Sequence, residues 1–286
     1  MFALIACVAF ADPVVLPVRR VDSGHVLLDV DLGPTGVGTF VLDTGASRTA
    51  ISSLTASRLG IPASRGRHVG VQTMGGAVAA RLVPGRFAVG GIVVDRDRVT
   101  VVDFGSIEES FGEPIAGILG RDFFETVDVA LDLTQNQLVL YDRGSFAPDA
   151  DWAVVPFGFW HHLVEVPVRL GDADSHVIVD TGSNTSIISR WGVLRGHGTL
   201  DPVAAYMAGV DGRPIEVRAA TFDEVALGDV ILRDFRFSVC DNRDCPIGLG
   251  QVDRALLGID AFEHRTTVWS YARKRMYLSK PGRPPP

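Results

Sequence analysis

The sequence predicts an all-β protein that is built from two similar halves. One stretch occurs twice, at residues 40–52 and again at residues 177–189, and each copy carries an apolar run, Asp-Thr-Gly and a second apolar strand. Turn-forming residues are frequent, with 31 Gly and 16 Pro, and neither half contains a long amphipathic helical pattern. A chain of 286 residues can form two domains of ordinary size, each with its own core.

Composition narrows the classes of function. The chain is 47% hydrophobic and 21% charged, which is typical of a soluble globular protein. Its net charge of −7 gives no basic surface for nucleic acid or for an anionic membrane. No apolar run reaches the roughly 20 residues that a membrane-spanning helix needs. We therefore predict no nucleic-acid partner and no transmembrane span.

Residues 1–11 predict a leader segment. They are uncharged and almost wholly apolar, and Ala9-Phe10-Ala11 fits a small-x-small cleavage site. Leu4-Ile5-Ala6-Cys7 also resembles a bacterial lipobox, which would make Cys7 a lipid anchor. Both interpretations predict export, to the periplasm or as a secreted protein, and a frayed apolar tail is the alternative.

A constant offset runs through the two halves. The interval along the chain from Asp43 to Asp180 is the same as the interval from His25 to His162. Equal spacing of unrelated residue types indicates an internal repeat rather than a chance match.

A second signature closes each half. Residues 117–124 and 255–262 both contain apolar residues followed by Gly-x-Asp. The interval between their glycines, Gly120 and Gly258, is one residue longer than the interval between Asp43 and Asp180. This difference indicates a single insertion in the second half. A hairpin is predicted after each signature, and residues 142–151 have the composition of a linker. The predicted boundaries are a leader at 1–11, a first lobe at 12–147, a second lobe at 148–280 and a disordered tail at 281–286.

Each half also contains a predicted hairpin between its two signatures. The first spans residues 69–83 around Met74-Gly75-Gly76, and the second spans residues 206–217 around Asp211-Gly212. Glycines supply the positive φ angles that tight hairpin turns need. Short separate strands are expected after the hairpins, at 86–89, 99–102, 222–227 and 235–239.

The paired motifs resemble those of aspartic peptidases of the pepsin and retropepsin group. Two copies of apolar-apolar-Asp-Thr-Gly, each followed later in its own half by apolar-apolar-Gly, cover nearly all of residues 12–280. The resemblance implies two β-barrel lobes related by a pseudo-twofold axis, with an active-site cleft between them. Because one chain carries both motifs, it also implies that a monomer can be active.

The resemblance implies that Asp43 and Asp180 are the catalytic pair. Thr44 and Thr181 would hydrogen-bond across the lobe interface, and the following glycines would let the two loops approach closely. The supporting loop residues are Thr44, Gly45, Ala46, Thr181, Gly182 and Ser183. The hairpin tips become flap candidates, namely Met74, Gly75, Gly76, Asp211 and Gly212. The first hairpin lacks the tyrosine of pepsin-like flaps, and its glycine tip is more similar to retroviral-type enzymes.

The two copies differ after the glycine, where the first has Ala46 and the second has Ser183. In the family, a hydroxyl at this position can donate a hydrogen bond to the neighbouring carboxylate and favour its charged form. The resemblance therefore implies that Asp180 is the ionised base and that the shared proton lies on Asp43.

Paired carboxylates have a chemistry that follows from charge alone. Two such groups about 3 Å apart cannot both ionise at little cost, so the pair holds one proton. The ionised member can activate a water molecule while the protonated member polarises a substrate carbonyl. We therefore predict hydrolysis of polypeptide substrates without a cofactor or metal, in line with the lack of a His-x-x-x-His or clustered-cysteine pattern. The alternative is a peptide-binding module that grips an extended chain without cutting it.

The remaining candidates are a cysteine pair and a histidine pair. Cys240 and Cys245 are the only cysteines left once the leader is removed, which favours a local disulfide in an oxidising compartment and free thiols in the cytosol. His161 and His162 are adjacent, and on a strand they would point to opposite faces, which favours a structural role over a metal site.

Overall fold

The structure is a computed structural model. It describes residues 12–73, 76–104, 108, 111–208, 214–240 and 255–285, with the backbone alone at 72–73, 76, 202–208 and 214–217. The leader, with Cys7, lies outside this set. Among the described residues, no helix has both the length and the apolar character to cross a membrane.

Most of the described chain is β-structure. The strands are β1 (Val14–Pro17), β2 (Arg19–Arg20), β3 (Val26–Asp31), β4 (Val37–Leu42), β5 (Ala50–Ser52), β6 (Arg67–Thr73), β7 (Gly76–Val89), β8 (Ile92–Val102), β9 (Gly117–Leu119), β10 (Val127–Asp132), β11 (Gln137–Asp142), β12 (Ala153–Pro156), β13 (Gly158–Trp160), β14 (Leu163–Leu170), β15 (Ala173–Val179), β16 (Ile187–Ser189), β17 (Thr199–Ala208), β18 (Pro214–Leu227), β19 (Val230–Cys240), β20 (Ala255–Leu257), β21 (Thr266–Ser270) and β22 (Arg275–Leu278). Short helices are α1 (Ser53–Arg58), α2 (Arg121–Phe124) and α3 (Arg190–Arg195), with 3₁₀ turns at Gly33–Thr35 and Ile259–Phe262.

The two halves form barrels of the same topology. In the first, the order β2-β3-β4-β9-β5-β8-β7-β6 is closed by a pairing between β3 and β7. In the second, the order β13-β14-β15-β20-β16-β19-β18-β17 is closed by a pairing between β14 and β18. The prediction of an all-β fold with two barrel lobes is confirmed.

The strands that lead into Asp-Thr-Gly are buried on both faces. Phe40 and Leu42 of β4 point into the main core, while Val41 between them packs in a separate cluster with Phe104 and Phe111. The sequence of a strand that is buried on both faces is a continuous run of apolar residues, rather than an alternation of apolar and polar residues. This accounts for the apolar residues before each motif.

A third sheet joins the lobes, in the order β1-β11-β10-β21-β22-β12. Its central pair is antiparallel, and Ala130 of β10 lies opposite Val268 of β21. The interval along the chain between these two residues equals the interval between Gly120 and Gly258, so they are equivalent positions of the repeat. The pseudo-twofold axis therefore passes between them. The sequence predicted the hairpin β10–β11 and the hairpin β21–β22, but not their joining.

The predicted hairpins at 69–83 and 206–217 are present as β6–β7 and β17–β18. The short strands expected at 86–89 and 222–227 are instead the second halves of β7 and β18, which are each 14 residues long. In β7 the register with β8 shifts between Val83 and Gly85. Pro84 lies at this point, and because proline has no N–H to donate, it is tolerated where the ladder is interrupted.

The C-terminal tail, which we expected to be disordered, makes specific contacts up to Arg283. The Gly282 N–H donates to the His264 carbonyl at 2.8 Å, and Arg283 pairs with Asp149 and Asp151. The tail therefore lies against the segment that links the two lobes.

Candidate active site

The two Asp-Thr-Gly loops leave the ends of corresponding strands. Asp43 follows β4 and Asp180 follows β15, and the backbone N–H of each donates to the last residue of a parallel neighbouring strand. The bond from Asp43 reaches Leu119 O at 3.0 Å, and the bond from Asp180 reaches Leu257 O at 2.9 Å. The closing signatures thus lie directly beside the aspartates.

Four hydrogen bonds between Thr44 and Thr181 and the opposite loops tie the lobes together. The backbone N–H of each threonine donates to the Oγ1 of the other at 3.0 Å. Each Oγ1 then donates across the interface, from Thr44 to Val179 O at 2.9 Å and from Thr181 to Leu42 O at 2.8 Å. Both side chains are buried. The bonds are related by the pseudo-twofold axis and fix one loop relative to the other.

Gly45 and Gly182 bring each loop against the carboxyl group of the other lobe. A Cβ atom on Gly45 would lie less than 3.0 Å from the carboxyl atoms of Asp180, and one on Gly182 would lie equally close to those of Asp43. Real Cβ atoms do not approach other atoms this closely, so only glycine fits. The two carboxyl groups, which come from different lobes, hydrogen-bond to one another.

Both members of the pair are partly buried, and both accept hydrogen bonds from backbone N–H groups. Loss of water raises the pKa of Asp43, but its Oδ1 accepts hydrogen bonds from the N–H groups of Gly45 at 2.7 Å and Ala46 at 3.0 Å, which lower it. Loss of water also raises the pKa of Asp180, and the negative charge of Asp43 raises it further, well above the ordinary value. The N–H of Gly182, which donates to Asp180 Oδ1 at 2.9 Å, opposes this rise. The two carboxyl groups therefore cannot both be charged at little cost, and the pair shares one proton.

The hydrogen bond that we expected from the Ser183 hydroxyl to Asp180 is not made. The Ser183 hydroxyl donates to Thr185 O at 2.8 Å, so its single proton is not available to Asp180. The contact on which the proton was assigned to Asp43 is therefore not made, and the side of the pair that carries the proton stays a prediction.

A second pair of carboxylates, which was not predicted from the sequence, anchors the loops. Asp122 accepts from the N–H of Thr49 at 2.7 Å and from its Oγ1 at 2.6 Å. Asp260 accepts from the N–H of Ser186 at 2.9 Å and from its Oγ at 2.7 Å. Both aspartates belong to the repeated Gly-x-Asp signature, and the two hydroxyl residues occupy equivalent positions after each Asp-Thr-Gly. These repeats were the available signal.

The anchor also reaches the closing glycines. The N–H of Gly120 donates to Thr49 Oγ1 at 3.2 Å, and the N–H of Gly258 donates to Ser186 Oγ at 3.0 Å. Burial raises the pKa of Asp260, and its bonds to Ser186 oppose that shift. Each hydroxyl therefore links the strand after Asp-Thr-Gly to the closing signature of the same lobe.

Contacts between the lobes differ on the two sides of the pair. On one side, His25 Nε2 lies 3.1 Å from Gly182 O, and Asn184 donates to Ser23 O at 2.7 Å. On the other side, the Arg121 guanidinium lies 4.2 Å from the centre of the Phe159 ring. The repeat therefore does not extend to these flanking residues.

His161 and His162 do not lie on a strand, contrary to the prediction from the sequence. They form the two-residue turn between β13 and β14, with φ angles of 45° and 77°. The Arg121 guanidinium contacts His162, donating to its carbonyl at 3.3 Å. Among the described residues, no cluster of three or more His, Cys, Asp or Glu side chains could hold a metal.

The predicted flap tips and one cysteine lie largely outside the described residues. Gly76 begins β7 and pairs with Thr73. Cys240 is buried and disulfide-bonded. The other predicted positions in this group, Met74, Gly75, Asp211, Gly212 and Cys245, are outside the described set.

Comparison with known families gives one result. A family model described as Aspartyl protease matches residues 29–123 and 166–261, which together make up more than half of the chain. Each match contains one Asp-Thr-Gly loop and the closing glycine signature of the same half. A search of curated proteins finds no match to the chain.

Proposed function

Because this chain belongs to the aspartyl protease family, we propose that it is an aspartic endopeptidase whose catalytic pair is Asp43 and Asp180. Membership of the family supports a peptidase function. The observation that carries the specific assignment is the hydrogen bond between two carboxyl groups from different lobes. A pair that shares one proton holds a base and an acid at the same place.

The proposed reaction uses each carboxyl group twice. Asp43, as the carboxylate, takes a proton from a water molecule while the water oxygen attacks the peptide carbonyl carbon. Asp180 gives its proton to the carbonyl oxygen, which yields a neutral tetrahedral diol. When the C–N bond breaks, Asp43 passes its proton to the leaving nitrogen and Asp180 takes a proton from a diol hydroxyl. The products are a carboxylic acid and an amine, and the pair returns to its starting state.

The loop geometry supports this assignment because it holds the acid and the base in place. The buried threonine bonds and the two glycine contacts come from both lobes. Preorganised groups need little rearrangement during the reaction, which is a large part of enzymatic rate enhancement.

A peptide library tests the proposal. The purified protein is incubated with the library in water enriched in ¹⁸O, and the products are identified by mass spectrometry, with Asp43→Asn as the control. We expect internal cleavage, one ¹⁸O in each new carboxyl terminus and no cleavage by the variant. Absence of cleavage by the parent at any pH, or cleavage by Asp43→Asn within a few-fold of the parent rate, would contradict it.

We further propose that the active unit is a monomer, since both carboxyl groups belong to one chain. An enzyme that needs a second copy loses specific activity on dilution, whereas a monomer does not. The rate per molecule should therefore stay constant between about 10 µM and about 10 nM enzyme. A fall in specific activity over this range would show that dimerisation is required.

Export is also a proposal, to the periplasm or outside the cell, with Cys7 as the residue that would carry a lipid anchor. The disulfide at Cys240 supports export, because disulfides persist mainly in oxidising compartments.

We propose Cys245 as the disulfide partner of Cys240. This pairing closes a small loop, which should add less to the stability of the fold than the roughly 3 kcal/mol expected for a loop of about 15 residues. Alkylation of the unreduced, denatured protein should add no mass at these two cysteines. Two added groups would exclude the pairing.

A further inference from the structure

His25 lies in a tight loop of the first lobe, between β2 and β3. The loop is closed by hydrogen bonds from Val21 N–H to His25 O at 3.1 Å and from Gly24 N–H to Val21 O at 2.7 Å. Gly24 has a φ of 86°, a left-handed conformation that glycine adopts readily. The loop backbone is thereby fixed, and His25 is held at the lobe interface.

The imidazole of His25 has a partner at each nitrogen. Nε2 lies 3.1 Å from Gly182 O, and Nδ1 lies 2.9 Å from Ser23 Oγ. A carbonyl oxygen can only accept, so Nε2 must carry the proton, and the neutral ring then accepts from the Ser23 hydroxyl at Nδ1. The ring packs edge-on against Phe111, with centroids 4.6 Å apart. Burial lowers the pKa of His25, in agreement with a neutral ring.

The carbonyl that His25 contacts belongs to the peptide between Gly182 and Ser183. The N–H of the same peptide donates to Asp180 O at 3.2 Å, and Ser183 N–H also lowers the pKa of the Asp180 carboxyl group by hydrogen bonding. Gly182 itself lies against the carboxyl group of Asp43. One peptide group thus connects His25 with both members of the pair.

The contact occurs on one side of the pseudo-twofold axis only. His162 is the counterpart of His25 by position, but it lies in a tight turn with a φ of 77° and contacts Arg121. The repeat therefore does not explain the contact that His25 makes, and the second-lobe loop has a support from the opposite lobe that is specific to it.

We propose that His25 is a positioning residue for catalysis: its Nε2–H bond to Gly182 O holds the Gly182–Ser183 peptide, and through it the Asp180 loop, in register with Asp43. The inference rests on the proposed peptidase function. It concerns turnover rather than substrate binding, because His25 acts on the acid–base pair. A misplacement of about 1 Å at such a pair can cost about 100-fold in rate, so a single well-placed bond matters.

Two substitutions separate the hydrogen bond from the packing of the ring. His25→Phe keeps an aromatic ring beside Phe111 and removes the donor, whereas His25→Gln loses the ring and keeps an N–H donor near the position of Nε2. We expect His25→Phe to lower kcat about 10-fold, with KM within about twofold of the parent. A factor of ten in rate corresponds to about 1.4 kcal/mol, which is about the contribution of one hydrogen bond. We expect His25→Gln to retain kcat within about threefold. Parent-like kcat in His25→Phe, equal losses in both variants, or a change confined to KM would each overturn the proposal.

A matched control removes a different contact of the same loop region. Arg20, whose Nε donates to Gly24 O at 3.2 Å, forms an ion pair with Glu263 across the same interface. Glu263→Gln breaks this ion pair but leaves the bond from Arg20 to Gly24 O, and it should therefore leave kcat unchanged. If this control variant lowered kcat as much as His25→Phe, the loss of kcat would be explained by weaker cohesion of the lobe interface. That result would overturn the positioning role of His25.

A spectroscopic measurement tests the contact independently of hydrolysis. In ¹⁵N-histidine-labelled parent protein near pH 7, the resonance that is absent from His25→Gln should show a protonated Nε2 and an unprotonated Nδ1. The opposite tautomer would overturn the proposal whether or not the protein is a peptidase. Failure of the peptidase proposal would instead appear as an inactive parent with the expected tautomer.

Discussion

At the scale of single residues, Gly45 and Gly182 determine how closely the two carboxyl groups approach. Each glycine Cα lies against the aspartate of the other lobe, at a distance that leaves no room for a methyl group. Neither glycine has a positive φ, so their requirement is one of space rather than of backbone conformation.

Gly45→Ala and Gly182→Ala should each lower kcat/KM at least about 100-fold, because the added methyl group must displace a carboxyl group of the proposed catalytic pair. Gly158→Ala is the control, since Gly158 has no atom within 4 Å of an added Cβ and also has no positive φ. Steady-state kinetics on a cleaved library peptide provide the measurement. Activity within tenfold of the parent in Gly45→Ala would show that the loops are not in this close contact.

The charge on Asp180 gives a pH dependence of stability. Its pKa is raised by loss of water and by the charge of Asp43, well above its ordinary value of 3.8. Between 3.8 and this raised pKa, the folded state binds more protons than the unfolded state. The contribution of Asp180 to stability therefore decreases as the pH rises through that window.

Asp180→Asn removes this ionisation and should raise Tm relative to the parent at neutral pH. The difference in Tm should shrink as the pH falls to 3.8 and below, where the parent carboxyl group is protonated in both states. Thermal unfolding across this pH range tests the sign. A variant that is less stable than the parent at neutral pH, or a difference that does not vary with pH, would contradict the raised pKa of Asp180.

At the scale of elements, the strands after the Asp-Thr-Gly loops are fixed by internal hydroxyl–carboxylate contacts. Thr49, at the edge of β5, is fully buried, and its Oγ1 both donates to Asp122 and accepts from Gly120 N–H. One hydroxyl thus satisfies two buried polar groups. Removing it leaves both without that partner.

Thr49→Val, which keeps the shape of the side chain, should lower the free energy of unfolding by about 1–3 kcal/mol. Thr49→Ser is the matched control, because it keeps the hydroxyl and should cost less than Thr49→Val. Denaturation followed by circular dichroism measures both. Equal destabilisation by the two variants would mean that the methyl group, and not the hydroxyl, stabilises the loop.

The sequence predicted these elements unevenly, for physical reasons. Apolar runs beside Asp-Thr-Gly located β4 and β15, because strands buried on both faces leave a clear pattern. The separate strands expected after the hairpins are in fact continuous with them, because a strand can bend at a bulge and pair with two partners. The Ser183 hydroxyl was assigned to the wrong acceptor, since residue type does not reveal whether a carbonyl nearby competes for the proton.

At the scale of the whole molecule, the third sheet joins strands from both lobes into one continuous structure. Its central pairing, Ala130 opposite Val268, connects two hairpins that are far apart in the chain. Local sequence patterns predict a hairpin, but they do not indicate which distant strand pairs with it. The repeat predicted two lobes and two aspartates, and the way in which the lobes are held together could only be seen in the structure.

We propose that two carboxyl groups, one from each lobe, act as one catalytic unit. The most direct test compares kcat/KM of the parent with Asp43→Asn, Asp180→Asn and the double variant on the same peptide. Groups that act as a unit give non-additive losses, so each single variant should lose at least about 1,000-fold and the double variant should be no slower than the slower single variant. Losses that multiply in the double variant, or a single variant within tenfold of the parent, would contradict the claim.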